Sequence, residues 1–193
     1  MKRTKFDGFE VIWRNEVMNM YALDLKKKIS VVEPELSVEW SMHECSVAID
    51  IIEQSILEER SARGDNILVA YAMKNPVAYL FAAKVDTWVG EIDDWFHVAT
   101  NEVYLYDAHT LPQFRGKRIY PFLICSAAEY FRKRTFHYAM IFSTARNVNS
   151  VKGIERCNAK CYEVVNYRNV LGWKCWRYHT GEKHVKSRLG NEI

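Results

Sequence analysis

The apolar positions of this chain fall into two kinds of pattern, stripes at helical spacing and continuous runs of strand length. Between residues 46 and 63, Ala48, Ile51, Ile52, Ser55 and Ile56 form one stripe while Glu53, Glu58, Glu59 and Arg60 fall off it. That pattern predicts a helix with Ser46 as its N-cap and Gly64 as its stop. NILVAYAM (66–73) and PVAYLFAAKV (76–85) are apolar runs that predict two strands, joined by Lys74-Asn75 as a two-residue hairpin connection. EVYLYDA (102–108) and HYAMIFSTA (137–145) predict two more strands, and VVNYRNVLGWKCWRY (164–178) a closing strand pair around Gly172. After the loop HTLPQFRGKR (109–118), Ile119, Phe122, Leu123, Ala127, Tyr130 and Phe131 share one helical face. Pro121 lies in the first turn of that helix, where a missing N–H does little harm. SVKGIERC (150–157) predicts a short third helix.

The flanks are less legible. VIWRNEVMNMYALDL (11–25) has strand-like aromatic and β-branched content until Lys26-Lys27-Lys28 breaks it. The tail from His179 to Ile193 has no aromatic residue and is expected to be mobile. With 193 residues, 49% of hydrophobic type and 26% charged, the chain is expected to fold as one globular domain, 1–193. Disorder, collagen-like structure and a disulfide-dense scaffold are excluded by the same figures. Four prolines and eight glycines imply short turns. No apolar stretch approaches the ~18 residues of a membrane helix, and the basic start lacks the apolar core of a signal peptide. Five cysteines at unrelated spacings read as reduced thiols. A cytoplasmic protein without a membrane partner is expected.

Charge changes the picture only locally. The net charge of +3 is too small to argue for nucleic acid without a clustered patch. The cluster that sits at the start of a helix is the loop between EVYLYDA and Ile119, where Arg115, Lys117 and Arg118 surround Gly116. N–H groups at a helix start lack intrahelical partners and carry the positive end of the helix dipole. A glycine there lets a phosphate approach the main chain, so the segment reads as a phosphate or pyrophosphate cradle. A solvated basic turn, with Gly116 merely relieving backbone strain, is the competing reading.

The residues of this loop resemble the signature of the GCN5-related N-acetyltransferases (GNAT), Gln/Arg-x-x-Gly-x-Gly/Ala between a strand and a helix. Here it reads Gln113-Phe114-Arg115-Gly116-Lys117-Arg118, led in by Thr110-Leu111-Pro112. The family's Asn-x-x-Ala/Ser after the next strand corresponds to Asn147-Val148-Asn149-Ser150, and the matching elements span residues 66 to about 178. The resemblance implies an α/β fold with a mixed, mostly antiparallel sheet flanked by helices on both faces. It departs at three points: Arg118 replaces the second small residue, Ile154 stands where relatives often carry a tyrosine acid, and Asn158-Ala159 replaces Gly-Phe.

The resemblance implies acetyl-CoA as acyl donor and direct transfer of its acetyl group, in a ternary complex, to a primary amine of a small molecule or peptide. It sets the pyrophosphate on the N–H groups of Phe114, Arg115, Gly116, Lys117, Arg118 and Ile119. The pantetheine arm would lie along Ala108, His109, Thr110 and Leu111, with Asn147 and Ser150 opposite and Tyr120 directed toward the cofactor. The thioester carbonyl would accept a main-chain N–H near Thr110. An amine of pKa near 10 needs a base at neutral pH. Glu102, Tyr104 and Tyr106 share one strand face, and the resemblance, whose members often carry their catalytic carboxylate on this strand ahead of the Thr110 position, implies Glu102 as the base, acting through water or Tyr104. A strand-end carboxylate beside two packed tyrosines is the alternative. Tyr162 is the substitute acid if the geometry allows, and otherwise a packed aromatic.

Trp88, Glu91, Asp93, Asp94, Trp95 and Phe96 join aromatic surface to carboxylates, which suits a cationic or amino-sugar-like acceptor or, more plainly, a solvated loop anchored by tryptophans. Cys157 and Cys161 lack the further ligands of a zinc set, so no metal is expected. His43, Glu44 and His97 have no spacing that points to chemistry. No nucleic-acid partner is expected, and a monomer or homodimer is. A CoA-binding sensor without turnover, and a module binding phosphate or nucleic acid, are the rival functions.

Overall fold

The computed structural model describes residues 3–6 and 9–180. The chain starts with β1 (Arg3–Phe6), β2 (Phe9–Asp24) and β3 (Glu39–Glu44), then enters α1 (Gln54–Arg63). The hairpin β4 (Asn66–Ala72) and β5 (Asn75–Ala83) follows, then a small separate hairpin, β6 (Thr87–Val89) and β7 (Asp94–Phe96). Next come β8 (Glu102–Thr110), α2 (Ile119–Arg132), β9 (Tyr138–Thr144) and α3 (Val148–Arg156). The pair β10 (Lys160–Val170) and β11 (Trp173–Thr180) closes the order. The large sheet runs β11-β10-β2-β9-β8-β5-β4-β3, with β1 paired to β2. Every pairing is antiparallel except β8 with β9, so the sheet is mixed and mostly antiparallel.

The continuous apolar runs reflect burial on both faces. In β4, Leu68 and Ala70 pack with Leu123 and Ile124 of α2, whereas Ile67 and Val69 pack with Leu57 of α1 on the opposite face. Helices thus flank the sheet on both sides. The β6–β7 hairpin covers the α1 side further along, where Val89, Ile92 and Phe96 meet Met18, Met20, Tyr104 and Met140.

Several boundaries differ from the sequence expectation, among them the start of the closing strand pair, which is Lys160 rather than Val164. The first helix begins at Gln54, with Glu53 as its N-cap, because residues 46–53 form turns. Those turns are held by Val47 N–H to Glu44 O and Ile52 N–H to Ile49 O, and they bury Cys45 and Ile49 beside Leu57. Gly64 does end the helix, at φ +78°, with its N–H donating to Ser61 O. The β4–β5 turn is Met73-Lys74, at φ +49° and +67°, because the ladder closes at Ala72 opposite Asn75. The third helix starts two residues earlier, at Val148. His179 and Thr180 belong to β11 rather than to the tail, whose remainder lies outside the described residues.

Candidate functional site: a cleft where parallel strands part

β8 and β9 run parallel from Glu102/Tyr138 to Leu105/Ile141, and there the pairing stops. β8 bends away through a bulge. Asp107 takes φ +43°, and the register against β5 slips between the Phe81/Tyr106 and Tyr79/His109 pairs. The two strands part into a cleft of about 780 Å³. Leu111 N–H donates to Val77 O, which makes Ala78/Thr110 a non-hydrogen-bonded pair and turns the Thr110 N–H away from β5, toward the gap.

One wall of the cleft is the start of α2. Gly116 has φ +77° and open space around its Cβ direction, so the backbone angle, not crowding, calls for glycine. Arg118, the N-cap, is also left-handed at φ +60° and makes no side-chain cap bond. Its guanidinium instead meets Glu35 at 3.2 Å, and Glu35 N–H donates to Lys117 O. Arg115 Nε donates to Thr110 O at 3.0 Å, which ties the loop to the strand end. The departure at Arg118 therefore leaves the loop open, with the side chain held outward to the 33–36 segment.

The opposite wall is α3. Asn147 caps it, its Oδ1 accepting from Ser150 N–H at 3.2 Å. Asn149, Lys152, Gly153 and Arg156 line the cleft at helical spacing. Tyr120 of α2 bridges the walls, its hydroxyl 3.0 Å from Ser150 Oγ. A Cβ on Gly153 would stand 2.7 Å from the Tyr120 ring, so that glycine makes room for the tyrosine. Burial, outweighing the Ser150 hydrogen bond, pushes the Tyr120 phenol up to about 12. Ile154, by contrast, is fully buried in the core.

The far end is acidic and aromatic. Glu91, in the β6–β7 turn, and Asp107 line it beside Tyr106 and Phe142. Asp107 pairs with Arg60 at 2.5 Å. The Tyr106 hydroxyl donates to Asp65 Oδ2 at 2.5 Å and receives Arg63 Nη2 at 2.6 Å. Desolvation and then the Asp65 hydrogen bond hold that phenol well above its ordinary range.

Of the expected site residues, Ala108, His109, Thr110, Phe114, Arg115, Gly116, Arg118, Ile119, Tyr120, Asn147 and Ser150 line this cleft. Leu111 and Lys117 belong to the same loop but stand off the wall. Glu102, Tyr104 and Tyr162 do not reach it. Glu102 is buried at the closed end of β8, where its carboxylate accepts Ala99 N–H at 3.4 Å. Tyr104 stacks on Tyr106 at 5.3 Å inside the core, and burial raises its phenol well above the usual range. Tyr162 is packed with Met20 and Val165 beneath the opposite sheet face. Side chains alternate along β8, but the cleft begins only past Leu105, so sharing a face with Tyr106 does not bring Glu102 to it.

The Arg60–Asp107 and Arg63–Asp65–Tyr106 contacts join α1 and the turn after it to β8, some forty residues away, and left no sequence signal. Lys152 and Arg156 did leave one, their i, i+4 spacing on a helix. From the aromatic–acidic segment only Glu91 reaches the cleft, while Trp88 and Trp95 face outward, 45% and 49% exposed. Cys157 is buried against α2, and no group of metal-ligating residues forms among the described residues. No helix among them is long and apolar enough to cross a membrane.

No family model and no curated protein matches this sequence. Solved structures do match. A GCN5-related N-acetyltransferase from Kribbella flavida is similar with a TM-score of 0.56 and 10% identity, over 83% of this chain and 61% of its own. A GCN5-related N-acetyltransferase from Sphaerobacter thermophilus gives 0.54 and 11%, over 82% and 53%. An acetyltransferase from the GNAT family of Colwellia psychrerythraea gives 0.52 and 11%, over 81% and 57%. The chain thus spans a little over half the length of these proteins. Likeness at such identities is likeness of backbone, and together with the parted parallel strands and the glycine loop it establishes that this chain has the GCN5-related N-acetyltransferase fold.

Proposed function

We propose that the protein is an acetyl-CoA-dependent N-acetyltransferase acting on a primary amine. The observation that carries this reading is the cleft between β8 and β9, cationic where α2 begins and anionic at Glu91. Its donor set fits acetyl-CoA, which supplies the activated acetyl thioester when bound. The first N–H groups of α2, with Arg115, Lys152 and Arg156, suit a pyrophosphate or phosphate. The Thr110 N–H, turned into the gap, suits the negative charge that grows on a thioester oxygen under attack. One such donor is worth about 10²–10³ in rate.

Glu91 replaces Glu102 as the base. It stands at the open, acidic end, where it can receive an ammonium and take its proton directly or through one water. Tyr120, protonated at neutral pH and bonded to Ser150, can hand a proton to the departing thiolate. It supplies a hydroxyl that Ile154 cannot. The same carboxylate favours a cationic acceptor such as a polyamine or an amino sugar.

Calorimetric titration with acetyl-CoA, followed by thiol release in the presence of a polyamine or amino sugar, tests the reading. Micromolar binding and amine-dependent release of CoA are expected. Binding without release with any amine would leave a CoA sensor, and no binding up to millimolar would remove the acyltransferase reading altogether.

A further inference from the structure

The large sheet has a second exposed surface, away from the cleft. α2 packs on β4, β5 and β8, and α3 on β9. Tyr21 of β2 lies at the edge of this cover, its hydroxyl 3.4 Å from Glu155 of α3. Farther out, the same face of β2, β10 and β11 is open, and a groove of about 470 Å³ lies on it.

Strand register arranges this face in rows across three strands. The outermost row is Trp13, Val170 and Trp173. The next is Asn15, Arg168 and Cys175, and the third is Val17, Asn166 and Arg177. Each row is roughly 10 Å wide, twice the strand spacing. Trp13 is 66% exposed and Trp173 85%, so two flat indole rings stand free on the same side. The three rows contain two arginines and no carboxylate.

That composition selects among occupants. A second copy of this chain seated face to face would double the arginines of the patch, from two to four, and bring no carboxylate to pair with them. A lipid surface would need a wider apolar patch, and only the outer row is apolar. Stacking rings, guanidinium groups and side-chain amides are together the surface on which unpaired bases stack, with phosphates held beside them. We propose that this open face binds single-stranded nucleic acid, with bases on Trp13 and Trp173 and phosphates on Arg168 and Arg177. The patch was invisible in the sequence because its members are spread from residue 13 to residue 177. This inference is independent of acetyl transfer.

The test is fluorescence anisotropy of a labelled oligouridylate RNA against the full chain, at salt between about 50 and 200 mM. Binding is expected, weakening with salt, and Arg168→Ala should lower the log–log salt slope by about 0.7. Trp173→Ala should weaken binding by about 5- to 150-fold. With Trp173 so exposed, thermal melting of that variant should match the parent. Three outcomes overturn the proposal: no binding at about 50 mM salt, binding that Trp173→Ala and Arg168→Glu/Arg177→Glu leave unchanged, or tighter binding to heparin or anionic phosphatidylserine vesicles than to RNA.

Discussion

Two helices begin at the same cleft, and they begin differently. α3 is closed by its own sequence, with Asn147 Oδ1 accepting from Ser150 N–H. α2 has no side-chain cap, and its N-cap Arg118 sits in a left-handed conformation that any residue with a Cβ adopts at some expense. The unsatisfied N–H groups of a helix start need a partner from somewhere. At α3 the protein supplies one, whereas at α2 it leaves the position open and rings it with Arg115, Lys152 and Arg156. The contrast separates a helix start completed by its own side chain from one left uncapped, as the proposed pyrophosphate cradle requires.

The largest effect should come from filling the open start. Gly116→Glu puts a carboxylate where a phosphate would sit and a Cβ at φ +77°. Acetyl-CoA affinity measured by calorimetry should fall by at least about 100-fold, near 2.7 kcal/mol, and unchanged affinity would sink the cradle. Next is the spacer between the helices. Gly153→Ala forces a Cβ to 2.7 Å from the Tyr120 ring and should lower stability in urea by about 1–3 kcal/mol. No loss would mean that the α2–α3 contact is looser than drawn.

The self-capped start is smaller in scale. Asn147→Ala should cost about 1 kcal/mol in thermal melting and leave a Gly116-dependent CoA affinity in place. A collapse of CoA binding without loss of stability would show that Asn147 serves the ligand rather than the helix. The last test uses pH. The Tyr120 phenol is raised from about 10 to about 12 in the fold, so the folded protein keeps a proton that the unfolded chain releases. Its contribution is complete below pH 10 and is lost as pH rises through 12. Between urea midpoints near pH 9 and 11, the parent should lose about 1 kcal/mol more than Tyr120→Phe. Equal losses would show that Tyr120 is solvated and unsuited to the cleft.

The centre of the molecule was legible in the sequence because burial on both faces writes unbroken apolar runs. β4, β5, β8, β9 and the buried face of α2 all announce themselves this way. The glycine loop was legible because consecutive residues build it. What could not be read depends on partners distant in the chain. Isoleucines at helical spacing did not reveal that residues 46–53 would turn to bury Ile49. The resemblance points to a carboxylate on β8 and alternation gives the face Glu102 takes, but neither says how far along the strand the cleft opens. β3 left no sequence signal, and nothing in VIWRNEVMNMYALDL said that it would lie between β9 and β10.

That last placement has a consequence for how the chain comes to be folded. β2 is made early but pairs with β9 and β10, which emerge from the ribosome only after most of the domain. Residues 9–12 can pair locally with β1, but until β9 and β10 arrive the apolar and aromatic remainder of the strand, residues 13–24, has its ladders open to whatever else is nearby. The β4–β5 hairpin can close locally, but the sheet cannot be completed before the two ends of the chain meet. Such non-local closure slows folding. During synthesis, therefore, the vulnerable part of this fold is β2, and a chaperone that shields extended segments would find its client there.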